Sequence, residues 1–98
     1  MIIVTGSVTA KAGCLEQALA ASLEHVHRSR AEPSCISHAV HVDAENPDRL
    51  VFVEEWADMA TLMAHFAVPA SRVFGKLLAS LSDVPPDLHI YEGTPIKP

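Results

Sequence analysis

Basic residues are scarce in this chain: seven lysines and arginines stand against twelve acidic residues, for a net charge of −5. Beyond Arg28 and Arg30 they form no cluster, so no cationic surface tracks a phosphate backbone and nucleic-acid binding is not expected. Long apolar runs are missing too. No window approaches the ~18 residues that a membrane-spanning helix needs. The opening MIIVTGSVTA has neither the basic segment nor the long apolar stretch of a secretory signal. A cytoplasmic protein without membrane contact is therefore expected. Cysteine is nearly absent as well: Cys14 and Cys35 read as free thiols of a reducing compartment. Neither has a Cys or His partner at zinc-type spacing.

What is present is ordinary globular composition, 49% hydrophobic and 19% charged over 98 residues, which predicts one domain spanning 1–98. Residues 2–9, IIVTGSVT, are rich in β-branched side chains and read as a strand. After the turn KAG, Leu15, Leu19, Ser22, Leu23 and Val26 recur at helical spacing, predicting an amphipathic helix over 14–30. CISHAVHVD (35–43) and RLVFVEEW (49–56) alternate as strands and are joined by the turn-forming AENPD, giving a hairpin. Asp58 is placed to cap a helix carrying Met59, Leu62, Met63 and Phe66, which ends before Pro69. A further helix is expected over 70–82, with Gly75 as an unfavourable interior residue whose missing side chain suggests a need for space. A last strand over 87–93 precedes a loose tail at 94–98.

The order β-α-β-β-α(α)-β is that of a ferredoxin-like α+β fold, an antiparallel sheet with its helices on one face. Strands one and three carry apolar residues at both parities, so the open face of the sheet also wants cover. A homodimer packing sheet on sheet would supply it.

Residues 31–81 resemble the antibiotic biosynthesis monooxygenase family. The resemblance rests on EPSC at 32–35, D..NPDR at 43–49, F.E.W at 52–56, L..H at 62–65, Pro69 and F..LL at 74–78. It implies a dimeric α+β barrel of ferredoxin-like subunits and cofactor-independent oxidation of a quinol or aromatic polyketide by dioxygen. The family also includes haem-degrading enzymes, an isomerase-type branch acting on a small metabolite, and members of unknown activity. The Asn–Trp–His arrangement of the haem-degrading branch has no counterpart here, because its positions fall on Gly6 or Ser7, His65 and Gly75. The strand asparagine and helical tyrosine of the polyketide-oxidising branch fall on Phe52 and Leu62, while Trp56 is retained.

Oxygenation without a cofactor needs a base, a donor for the developing oxyanion and a dry pocket. His65 is the best base on offer, because its ordinary pKa of about 6.5 lies near neutrality. The position equally suits a histidine bonded to a carboxylate or to backbone. The Trp56 indole N–H is a candidate donor toward substrate, or a packed residue at the end of the sheet. Glu54 shares its strand face. His65 and Trp56 are thus the candidate catalytic pair. His38, Glu54, Met59, Leu62, Phe66 and Tyr91 are candidates to line the pocket. Spacing along single elements produces no metal site: His25 and His27 face different ways on their helix, as do His38 and His41 on their strand. The expected partners are a small aromatic substrate, dioxygen and a second copy of the chain, with no cofactor or metal. Two other readings share the scaffold, a non-catalytic ligand-binding or stress-associated dimer and an isomerase of a small hydroxyketone.

Overall fold

The computed structural model describes residues 1–98. The elements follow in the order β1 (Ile2–Thr9), α1 (Leu15–Ser29), β2 (Cys35–Val42), β3 (Arg49–Trp56), α2 (Met59–Ala67), α3 (Pro69–Ser80) and β4 (Asp87–Glu92). The strands form one sheet in the order β2-β3-β1-β4 with every neighbouring pair antiparallel. This is the ferredoxin-like α+β arrangement. Both central strands have the limits expected from alternation, and the helices begin and end within two residues of theirs.

Local chemistry explains three of the joins. Asp43 Oδ1 accepts from Glu45 N at 2.9 Å, and Asn46 Oδ1 accepts from Asp48 N at 3.2 Å. These side-chain turns close the β2–β3 hairpin, and Arg49 pins it by pairing with Asp43 at 3.0 Å. Asp58 caps α2 through Thr61 N, and the Thr61 hydroxyl accepts from Asp58 N in return, a reciprocal capping box. Val68 then turns the chain into extended backbone, and Pro69 opens α3 at a position where its missing N–H has no helical partner to lose.

The inner face of the sheet carries Ile2, Val4 and Val8 of β1 and Leu50, Phe52, Glu54 and Trp56 of β3. Two apolar clusters form on it. Val8, Leu50, Phe52, Ala18, Val26, Leu78 and Leu81 pack together, and Ile2, Val4, Trp56 and Leu62 pack together. Along β3, Leu50 and Phe52 belong to the first and Trp56 to the second, so Glu54 falls at the seam between them. The buried face of α1 is made of small side chains and one imidazole: Ala18, Ser22, His25, Val26 and Ser29. Ser22 and Ser29 donate to the carbonyls of Ala18 and His25, each at 2.6 Å, which satisfies their hydroxyls without a partner from another element. Leu23, on the apolar stripe expected from spacing, is 42% exposed.

Every residue of β4 is exposed, including Leu88 and Ile90, which align with Gly6 and Val4 on the inner face. The helices do not extend over this edge. On the outer face Val53 is also exposed.

Candidate functional site

Strand register builds the polar centre. In the β2–β3 ladder His38 stands opposite Glu54, and in the β1–β3 ladder Val4 does. Glu54 is therefore flanked on both sides within the sheet and roofed by helices, with only 6% of its surface exposed. Its Oε1 accepts from Trp56 Nε1 at 2.9 Å and lies 3.2 Å from His38 Nε2. The latter distance is that of an ion pair, but the ring N–H is not aligned for a hydrogen bond, and His38 Nδ1 has no partner at all. Burial pushes the Glu54 carboxyl upward, but the His38 imidazole, the Trp56 N–H and His65 together outweigh it and hold the group below the usual glutamate range. Glu54 is thus a buried carboxylate.

His65 comes down from α2 onto this centre, with its ring 4.6 Å from the Trp56 ring between centroids. Its Nδ1 lies 3.1 and 3.0 Å from the two oxygens of Glu32, in the turn after α1. A carboxylate can only accept, so Nδ1 is the donor of this pair and Nε2 is the ring nitrogen left free of it. His25 enters from α1 and stacks on Phe74 of α3 at 4.1 Å. Its Nδ1 accepts from Arg28 at 3.3 Å. Burial, reinforced by His38, His65 and Arg28, lowers the His25 pKa to about 3, so its imidazole is neutral at physiological pH. The rings of His25, His38 and His65 lie 5.2–5.5 Å apart.

Beside the histidines a cavity of about 310 Å³ opens between the sheet and α3. Phe52, Phe66 and Phe74 supply its apolar wall, and His25, Glu54 and His65 its polar end. A side chain at Gly75 would meet no atom within 4 Å. Glycine at this helix position therefore leaves room in the cavity and resolves no steric clash.

The residues singled out from the sequence are distributed unevenly around this space. His65, Glu54 and Phe66 line the cavity. Trp56 and His38 stand behind Glu54, buried to 0% and 2% exposure, so the indole N–H faces the carboxylate rather than the cavity. Leu62 is packed against Ile2, Val4 and Trp56 in the core. Met59, the first residue of α2, is 42% exposed, and Tyr91 is 52% exposed on the edge strand beside His89. Met63 is likewise exposed, so neither methionine fills the cavity. His25, Phe52, Phe74, Gly75 and Glu32 were not among the sequence candidates. His25 had a signal available, since it shares a helical stripe with Ala18, Ser22 and Val26. Both cysteines are free. Burial, with Glu32 and Glu54 nearby, pushes the Cys35 thiol up and away from nucleophilic character.

Residues 1–77 match the family model described as antibiotic biosynthesis monooxygenase. Among curated proteins, the uncharacterized protein sll1783 of Synechocystis is 31% identical over 91 residues. That match takes in 93% of this chain but only 62% of the relative's length. A crystal structure of an antibiotic biosynthesis monooxygenase superposes with a TM-score of 0.89 at 26% identity, covering 97% of this chain and all of that one. A conserved protein from Methanosarcina mazei superposes with a TM-score of 0.90 at 24% identity, over 95% of this chain and 92% of that one, and shares the fold. No helix is long and apolar enough to cross a membrane.

Proposed function

We propose, because this chain belongs to the antibiotic biosynthesis monooxygenase family, that its cavity oxidises a hydroxylated aromatic with dioxygen. The observation that carries this reading is the pairing of a phenylalanine-walled cavity with a carboxylate-backed imidazole at one end. An aromatic ring held among Phe52, Phe66 and Phe74 would present its hydroxyl to His65 Nε2. With Nδ1 tied to Glu32, that nitrogen accepts the phenolic proton, and the Glu32 carboxylate stabilises the imidazolium that results. The phenolate so formed is electron-rich enough to reduce dioxygen. In the balanced reaction a ring C–H becomes a carbonyl, one oxygen atom enters the product, and the second leaves as water with the C–H and O–H hydrogens. The apolar phenylalanine wall offers the anion no hydrogen bonds on that side, which leaves it a better electron donor than in bulk water.

In this scheme Glu54 belongs to the polar end of the cavity, and Trp56 stands behind it and fixes its carboxylate. The exposed apolar residues of the sheet, Val53 on its outer face and Leu88 and Ile90 along its edge, support a homodimer as the working form. The open cavity favours turnover over a purely structural dimer, since Met59 and Met63 leave it unfilled.

Oxygen uptake with a panel of hydroquinones and naphthols tests the reading. His65→Gln should lower kcat/KM by about 100-fold or more, the contribution expected of a positioned base. Equal rates in wild type and variant would remove His65 from the reaction, and no uptake with any phenol would overturn the oxygenase reading.

A further inference from the structure

The three histidines meet in a way that proton transfer does not require. His25 comes from α1, His38 from β2 and His65 from α2, all buried, and one ring nitrogen of each lies within 4.8 Å of the others. His38 Nδ1 is sealed from water without a partner, in a side chain with no exposed surface. A buried polar atom left in this state is unfavourable by about 1–3 kcal/mol, so something else should occupy its lone pair. Behind two of the rings stand carboxylates: Glu32 holds His65 Nδ1 at 3.0 Å, and Glu54 faces His38 Nε2 at 3.2 Å. Metal-bound imidazoles characteristically have such a carboxylate on the far nitrogen, where it fixes the tautomer and raises the basicity of the ligating one.

We propose that His25, His38 and His65 form a binding site for a divalent first-row transition-metal ion. Three neutral imidazoles suit zinc, cobalt, nickel, iron or copper, whereas magnesium and calcium demand oxygen ligands. The charge also fits, because the dication is balanced by Glu32 and the buried Glu54 carboxylate. Tetrahedral coordination at ~2.0–2.1 Å places ligand nitrogens about 3.3 Å apart. Capture of the ion therefore draws the three rings together by an ångström or so. Arg28, which donates to His25 Nδ1, gives up that contact on loading and turns to Glu24, already 3.6 Å away. With three protein ligands the fourth position stays open, as in catalytic rather than structural sites. It faces the cavity that His25 and His65 line, where an anionic ligand oxygen can take it. His65 then serves as a ligand and not as a base, so the loaded and unloaded proteins are chemically distinct states. The proposal is independent of the oxygenase reading, because binding is measured without turnover.

Cobalt(II) is the probe. Titrated into the metal-free protein and followed in the visible spectrum, it should bind one per chain with the intense absorption of a tetrahedral centre, and zinc should displace it. His38→Gln and His65→Gln, each checked for fold by circular dichroism, should weaken binding ~100-fold or more, beyond the 10–100-fold typical of losing an outer partner. His89→Gln, on the exposed edge strand, should leave it unchanged. Absence of a one-to-one complex with wild type below about 1 mM would overturn the proposal. So would an equal affinity in whichever of His38→Gln and His65→Gln folds.

Discussion

The bond between Trp56 and Glu54 should be one of the strongest single couplings in the chain, and a double-mutant cycle can measure it. Trp56 is fully buried, and its indole N–H donates to the Glu54 carboxylate at 2.9 Å. Replacing it by Phe removes a hydrogen bond to a charged group, about 1.5–3 kcal/mol. The same change removes several buried ring atoms, which adds about 1–2 kcal/mol at the usual value for each buried methylene. The total, about 3–4 kcal/mol, is a large part of the ~5–15 kcal/mol that holds a domain of this kind together. In a Glu54→Leu background the acceptor is already gone, so Trp56→Phe should lose only the packing part. The unpaired His38 is common to Glu54→Leu and the double variant, and cancels. Urea unfolding of the four proteins, read at constant m, should therefore give a coupling energy of about 2 kcal/mol. Additivity within about 0.5 kcal/mol would refute the reasoning. The seam between the two apolar clusters would then be held by packing alone.

Three further outcomes are expected. Glu32→Gln, which leaves His65 without its carboxylate, should lower kcat about 10- to 100-fold with KM little changed, since about 1.5–3 kcal/mol of charge-assisted bonding is lost; a change confined to KM in oxygen-uptake kinetics would remove Glu32 from the proton-transfer unit. Gly75→Ala should raise stability by about 0.5–1 kcal/mol, the helix-propensity gain at a site where the added methyl meets nothing; calorimetry showing a lower Tm would contradict this. Asp43 is held below its ordinary value of 3.8 by the Glu45 backbone N–H and by Arg49. A depressed carboxyl stabilises the fold above its unfolded pKa and loses that contribution as pH falls through the lower folded value. Asp43→Asn should thus be less stable than wild type at pH 7, and the gap in urea midpoint should shrink as pH falls below 3.8 and through the lower folded value.

Most of the fold was legible because alternation and capping are local signals. IIVTGSVT and RLVFVEEW are rich in β-branched and aromatic residues and bounded by turn formers, and Asp58 is where a capping residue belongs. The site was less legible, because its geometry depends on which elements cover which strand. Tyr91 and Trp56 both lie on strands of aromatic and β-branched residues, yet β3 is central and roofed while β4 is an uncovered edge. Met59 shares the helical stripe of Leu62, but it is the first residue of α2 and stays exposed where Leu62, one turn on, is buried. The histidine cluster is the clearest case. Spacing along α1 or β2 alone excludes a metal pair, and that remains true of each element taken singly. His25, His38 and His65 meet only through the packing of three elements, a relation that no one-dimensional period encodes. Glu32 was visible only as part of the EPSC turn, with nothing in that turn to indicate that it would reach α2.

Almost none of the cavity is made by loops. Its walls are strand residues of β1, β3 and β4 and helix residues of α1, α2 and α3, with Pro86 the one contribution from a connecting segment. In proteins whose binding residues ride on loops, selectivity can diverge by insertion and deletion while the scaffold stays fixed. Here each change of specificity is also a change in the core, and shifts in ligand preference must be found among substitutions that keep the domain folded. Libraries aimed at new ligands should therefore be concentrated at Ser71, Phe74 and Gly75 on α3. Selection on them should be for solubility and binding together, because in this architecture neither property can be tuned apart from the other.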